Sequence, residues 1–393
     1  MAGFYSCLFA CTLITSAFAI ETAEDVPRYI MYLTGQHPII PSPPLVKDVT
    51  HVAMAFMRSE IFNEPDRDNW PIFTSVEETR EKFAKDTKIM IAIGGWGNED
   101  GFREAARSEY DRRQWAEGVR KMVEKTDADG VDIDWEYPGG NGEDYKRSPN
   151  SAHTWELPRY PLLLSALRTA LGPSKLISAA VPGLRRDMLA FTRTHIPSIM
   201  ASVDFLNIMT YDLMNRRDNV TKHHTGIKNS LEAIDAYIAA GVEPSKANLG
   251  LAFYVKWFKT DPASRQACKA HPVGCPAALM EDPETGADLG KAGAFSWHDE
   301  VPAELKLSFE KALKDGTYDK DGYFHFDAEE DLFFSFDTPD SIRRKLSQIR
   351  KKRKLGGVFA WGLGEDAPAF TNLKAANKAV QLWRGGRVDR TEL

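Results

Sequence analysis

The stretch DGVDIDWEYPGG, Asp129 to Gly140, sets three carboxylates at alternate positions within an apolar run. Asp132, Asp134 and Glu136 interleave with Val131, Ile133 and Trp135. In a strand, residues two apart share a face, with their Cα atoms about 6.6 Å apart. The acids therefore crowd one side, while the Val, Ile and Trp side chains pack the other. Three carboxylates in a low-dielectric channel cannot all ionise cheaply, so at least one pKa must rise and the set must share protons. A Glu kept protonated near neutral pH is what a general acid requires. A Mg²⁺ or Ca²⁺ site is the competing chemistry. Trp135 and Tyr137 surround the acids, and no Asn, Gly or further acidic loop completes a coordination shell, so neither metal nor cofactor is expected. Asp129 has the opposite parity, at the strand entrance, and reads as structural.

Such a ladder needs a strand whose C-terminal end opens onto a cavity. Eight short apolar runs fit strands buried on both faces: 29–35, 51–57, 88–95, 130–136, 175–183, 203–212, 247–255 and 356–364. Helical spacing lies between most of them, at 75–86, 112–126, 159–172, 226–241, 339–354 and 370–384. Alternation of this kind predicts a parallel sheet, most simply closed as a (β/α)8 TIM barrel in the α/β class, with catalytic groups at the C-terminal rim. A doubly wound open sheet is the rival, but AIGGWG (92–97) is not a G-x-G-x-x-G fingerprint. Between Val255 and Gly356 the gap far exceeds one crossover helix. It reads as a small α+β insertion over 257–333, between strand 7 and helix 7, with the barrel formed by 20–256 and 334–393.

The chain has 393 residues, 43% hydrophobic and 27% charged, with a formal charge of −6. No global basic field draws nucleic acid or an anionic membrane, and a monomer is expected. The basic clusters at 343–345 and 350–354 read as the solvated face and last turn of one helix. The N-terminus has an apolar core and an Ala17-Phe18-Ala19 exit, so residues 1–19 read as a signal peptide and the protein as secreted and extracellular. Cys268 and Cys275 then form an even pair flanking a turn, for which a local disulfide is expected. Asn219, in the sequon NVT, is a candidate glycosylation site. No other stretch is long and apolar enough for a membrane span.

DGVDIDWEYP resembles the D-x-x-D-x-D-x-E signature of glycoside hydrolase family 18, the chitinases and their relatives. AIGGW (92–96) is similar to the family's third-strand S-x-G-G motif, MTYD (209–212) to its sixth-strand M-x-Y-D, and LGLAFY (249–254) to its seventh strand. Trp361 fits the tryptophan that ends the eighth. The long insertion resembles the chitin-insertion domain of one major subgroup, of fungal type. The resemblance spans nearly all of the expected mature chain.

It implies a secreted chitinase acting on chitin and chito-oligosaccharides. Glu136 would be the acid/base, and the substrate's own acetamido oxygen the nucleophile, the substrate-assisted exception among retaining glycosidases. Asp134 would hold the acetamido N–H, Asp132 would share a proton or hydrogen bond with Asp134, and Tyr211 would bind the acetamido oxygen. Trp361 would floor the sugar site, and Trp96 would stack the leaving side. Gly95, Tyr137, Met209, Asp212 and Tyr254 complete the expected substrate-binding set. Met209 and Phe253 also suit plain packing, and Trp257 and Trp297 either line a deep cleft or support the insertion's core. Two positions depart from the family pattern. Ala92 replaces the serine of S-x-G-G, and Lys256 stands where Arg is common, keeping charge but losing bidentate geometry. The alternative readings are an endo-β-N-acetylglucosaminidase, which the insertion disfavours, and a silent chitin-oligomer lectin, which the presence of Glu136 disfavours. No appended binding module is expected after the last helix, so weaker action on crystalline chitin than on soluble oligomers is expected.

Overall fold

The computed structural model describes residues 27–385. The expected signal segment at 1–19, with Cys7 and Cys11, lies outside the described residues. Seven strands run in order: β1 (Arg28–Thr34), β2 (His51–Met57), β3 (Lys88–Gly94), β4 (Gly130–Asp134), β5 (Leu176–Pro182), β6 (Phe205–Met209) and β7 (Ala247–Ala252). A second group follows, β8 (Tyr254–Lys259), β9 (Ala292–Ser296), β10 (Thr317–Tyr318), β11 (Tyr323–Asp327) and β12 (Leu332–Phe336), before β13 (Gly357–Trp361). Strand β13 returns between β7 and β1 and closes an eight-stranded parallel barrel, with helices between most of the strands.

Alternation along the strands divides the core in two. Tyr29, Met31, Leu33, Val131, Ile133 and Trp135 join one large cluster with residues of the outer helices, such as Trp115 and Tyr160. Ile30, Tyr32, Ala53, Met90, Ala92 and Phe359 form the smaller cluster inside the barrel. The outer layer supplies most of the apolar burial, at about 1.5–3 kcal/mol for each fully buried Val, Ile or Leu relative to exposure. Trp135 stacks on Phe102 at 5.3 Å with planes 10° apart and meets Tyr160 edge-on. That packing leaves Asp132 and Asp134 no direction but inward.

Three elements differ from the sequence pattern. The apolar run 247–255 is two strands, not one. Phe253, fully buried, donates its N–H to Trp361 O, and beyond it the chain leaves the barrel to pair with β12 and β9 in an antiparallel sheet ordered β10-β11-β12-β8-β9. That sheet runs from Tyr254 to Phe336, three residues beyond 257–333 at either end. The helix expected at 75–86 lasts only from Val76 to Arg80, under a Ser75/Glu78 capping box. Phe83 is then drawn into the core and Thr87 is anchored on Val49 O, so the chain turns early. The third difference corrects the reading of the basic clusters. Within helix Pro339–Lys352, Lys345 is not solvated: it is 1% exposed and donates to Asp337 Oδ2 at 2.7 Å and to Thr225 Oγ1. The 3.6-residue period placed it on the face that the tertiary fold covers.

The second sheet has its own core of Val255, Phe295, Phe309, Phe334 and Phe336, with Phe309 contributed by helix Lys306–Asp315. Trp297 packs against Phe309 and Phe336, and Trp257 against Gly293, so both support this unit and neither lines the main cleft. Cys268 and Cys275 form a buried disulfide with Cα atoms 5.1 Å apart. Closing so short a loop stabilises by roughly 2.5 kcal/mol in the chain-entropy model. A double Cys268→Ser/Cys275→Ser variant is therefore expected to lose about that much in denaturant titration, and an undiminished midpoint would contradict it. No helix among the described residues is long and apolar enough to cross a membrane.

Candidate active site

Beyond the C-terminal ends of β4, β6 and β13 the barrel opens into a cleft of about 540 Å³. Its far wall is the second sheet, through Phe258 and the strand Ala292–Ser296. The β4 ladder ends at Asp134, whose carbonyl accepts the Gly95 N–H at 2.8 Å, so Glu136 stands two residues past the strand, on the rim. Non-proline cis peptides occur at Ala55–Phe56, Glu136–Tyr137 and Trp361–Gly362, all bordering the cleft.

The three acids form a graded series. Asp132 is fully buried beneath the cleft and accepts hydrogen bonds from Tyr32 at 2.7 Å, Ser178 at 2.5 Å and Asn207 at 3.2 Å. Burial raises its carboxyl above the ordinary range, and those three donors partly offset the rise. Ala92 lies opposite it in the β3–β4 register, and Ser178 on β5 already supplies a hydroxyl to Asp132. Asp134, 2% exposed, lines the cleft, and its Oδ1 accepts no hydrogen bond from the described residues. Burial, then the charges of Glu136 and Asp132, hold its carboxyl well above the usual value. Glu136 is half-buried, and its carboxyl is pushed up to about 8 by burial. Its hydrogen bond with Tyr137 tempers that shift, while Asp212, Glu99 and Asp187 reinforce it.

Opposite them, Tyr211 packs between Tyr254 and Phe359. Asp212 pairs with Lys256 Nζ at 3.0 Å and accepts from Tyr254 OH at 2.7 Å. Burial alone would raise its carboxyl, but Lys256, His224 and Tyr254 outweigh that and hold it below the ordinary range. Lys256 thus has a defined partner despite lacking an Arg fork. Trp361 stacks on Phe56 at 5.4 Å and 26°, leans on Tyr32 and hydrogen-bonds Glu365. Trp96 is 46% exposed, with Tyr137 edge-on to it and the Arg217 guanidinium 5.7 Å over its ring. Met209 lines the cleft while also packing within the inner cluster.

Of the expected site residues, the cleft gathers Glu136, Asp134, Tyr211, Trp96, Tyr137, Met209, Asp212, Tyr254 and Trp361. Asp132 lies below it, and Gly95 does not line it. Gly95 holds φ +90°, and a Cβ there would meet the Phe56 ring at 2.6 Å, so its part is to admit that ring. Asn219 is exposed, away from the cleft lining. Sequence reasoning missed His37, Phe56, Asp187, Arg217 and Glu365, all of which line the cleft. Phe56 had a signal, since it nears the C-terminal end of a predicted strand. The others sit in loops without a period to read. Among the described residues no three His, Cys, Asp or Glu side chains are grouped to hold a metal.

The profile of Glycosyl hydrolases family 18 matches residues 28–366. The chain belongs to that family. Among curated family relatives, Endochitinase 1 of Metarhizium robertsii is 26% identical over 303 residues, 73% of this chain and 63% of its own. Chitotriosidase-1 of Mus musculus is 25% identical over 340 residues, 81% and 67% respectively. The chain spans less than two thirds of the length of the first of these. In fold, this family 18 chain is similar to the chitinase RmChi1 from Rhizomucor miehei, with TM-score 0.70 and 21% identity over 90% of this chain and 99% of that one. It also resembles Group II chitinase catalytic domain 2 from Ostrinia furnacalis, with TM-score 0.66 and 20% identity over 92% and 97%.

Proposed function

We propose that the protein is a secreted chitinase that hydrolyses β-1,4 bonds between N-acetylglucosamine units with retention, using the substrate's acetamido group as nucleophile. The observation that carries this reading is Asp134, a buried acid lining the cleft beside Glu136, whose Oδ1 has no hydrogen-bond donor among the described residues. A buried acceptor in that state is suited to a ligand N–H. Glu136, kept protonated by its surroundings, gives its proton to the glycosidic oxygen. The acetamido carbonyl oxygen then attacks the anomeric carbon, with Asp134 on the acetamido N–H and Tyr211 on its oxygen. Water, deprotonated by Glu136, opens the resulting oxazolinium ion and restores the acid. Trp361 offers an indole face to the sugar ring. The second sheet, read as the insertion domain, deepens the cleft for a chain substrate. The apolar N-terminal segment and the disulfide support secretion.

The test is the anomeric configuration of the first product. Proton NMR of chitotetraose digestion is expected to show the β anomer before mutarotation, and an initial α anomer, or binding without cleavage, overturns the reading. The pH profile supplies a further prediction. The acid must be protonated to act, so a carboxyl raised to about 8 remains competent through neutrality. As pH rises through about 8 that form is lost, and kcat/KM is expected to fall about tenfold per further unit. A rate that collapses between pH 4 and 6 would contradict this assignment.

A further inference from the structure

The hydrolase reading leaves several acids of the cleft without a role, Asp187 among them. Asp187, in the short 3₁₀ turn Arg185–Asp187 that follows β5, is 4% exposed and lines the cleft. Its Oδ1 is buried and accepts no hydrogen bond from the described residues. The cation facing that oxygen, Arg217 Nη1, is 3.9 Å away, an ion pair too long to be a hydrogen bond. Arg186 Nε stands 3.9 Å from Oδ2. Arg217 is not free to close its gap. Its guanidinium lies 3.7 Å from the Tyr145 ring centroid and donates to Asn141 O at 3.1 Å and Gly142 O at 3.0 Å. Tyr145 is tied in turn to Glu281 of the second sheet's loops. The Asn141 side chain hydrogen-bonds this carboxylate, yet its buried Oδ1 is left without a hydrogen bond at the cleft wall by neighbours that are themselves fixed. Buried polar atoms are nearly always paired, and an exception of this kind asks for a donor from outside the chain.

The position of Asp187 says which part of a substrate that donor belongs to. Asp187 lines the cleft with Glu136 and Tyr137, and its charge raises the carboxyl of the one and the phenol of the other. Arg217, its neighbour, lies 5.7 Å from the ring of the exposed Trp96. The acetamido-bearing sugar that reacts is held by Asp134 and Tyr211 and floored by Trp361. The group that departs must lie across Glu136 from it, on the side of Asp187 and Trp96.

We propose that Asp187 is a substrate-binding residue for the departing sugar, its Oδ1 accepting a hydroxyl or amide N–H of the leaving N-acetylglucosamine while Trp96 carries the ring face. Arg217 stands beside the carboxylate as its ion-pair partner. This rests on the hydrolase reading, and the two are separable by the choice of leaving group. Chitotetraose loses a sugar, whereas 4-methylumbelliferyl chitobioside loses an aryl alcohol with no hydroxyl or amide of its own for Asp187.

The experiment compares kcat/KM on both substrates for the natural protein, Asp187→Ala and Asp187→Asn. A hydrogen bond to a charged group is worth about 1.5–3 kcal/mol, so the ratio of chitotetraose to aryl activity is expected to fall by about 10- to 150-fold in Asp187→Ala. Asp187→Asn, which retains an acceptor oxygen without the charge, is expected to fall less. If both activities drop together, so that the ratio stays within about twofold, Asp187 only supports the loop and the inference is overturned. If the natural protein cleaves neither substrate, the hydrolase reading fails first and takes the inference with it.

Discussion

Replacing Glu136 with Gln is expected to lower turnover of chitotetraose by about 10²- to 10⁴-fold, the range that general acid–base catalysis supplies. The amide keeps the shape of the carboxyl but has no acidic proton to give the leaving oxygen and no base to activate water. It also removes a titrating carboxyl from a crowded set, since Glu136 is the largest electrostatic influence on Asp134. Binding is expected to survive, because the sugar is also held by Trp361, Tyr211 and Asp134, none of which depends on that proton. Calorimetry with chitotetraose should therefore show affinity within a few-fold of the natural protein while product formation nearly stops. Turnover within tenfold of normal would mean that another group donates the proton. Lost binding would mean that Glu136 shapes the cleft rather than running its chemistry.

The second large effect lies away from the site. Lys345→Met is expected to cost about 3–5 kcal/mol, the penalty for leaving one partner of a buried ion pair uncompensated. Lys345 and Asp337 are each about 1% exposed in their side chains, and Thr225 and Ser341 complete the network. Asp337 follows β12, where the chain leaves the second sheet for helix Pro339–Lys352. The pair thus sits where the second sheet hands the chain back to the barrel. A double Lys345→Met/Asp337→Leu variant should recover most of the loss, since an apolar pair of similar volume removes the stranded charge. Denaturant midpoints of the two single variants and the double variant decide it. A Lys345→Met protein as stable as the natural one would return this residue to the solvated face that its sequence context suggests.

Lys345 also shows where reading the sequence stops. A run of basic residues on a helical period marks a helix, but the face that tertiary contacts cover depends on what lies 120 residues away at Thr225. The same limit divides the site. The alternation of acids with Val131, Ile133 and Trp135 determined, through the two-residue period of a strand, that Asp132 and Asp134 share the inward face and that Glu136 follows at the rim. Eight such runs at crossover spacing determined the barrel, and MTYD and Trp361 marked two further strand ends on its rim. Those are local properties, carried by propensity and burial within one element. Asp187, Arg217, His37 and Glu365 come from four loops with no period, and only folding places them around one cleft. The split of 247–255 into β7 and β8 was likewise beyond local pattern, because an apolar run does not record which sheet each half will join. What the tertiary structure alone decided is the far wall of the cleft and the charges around Glu136. Both arise from residues distant in sequence, whose desolvation and mutual repulsion exist only once the chain has closed around them.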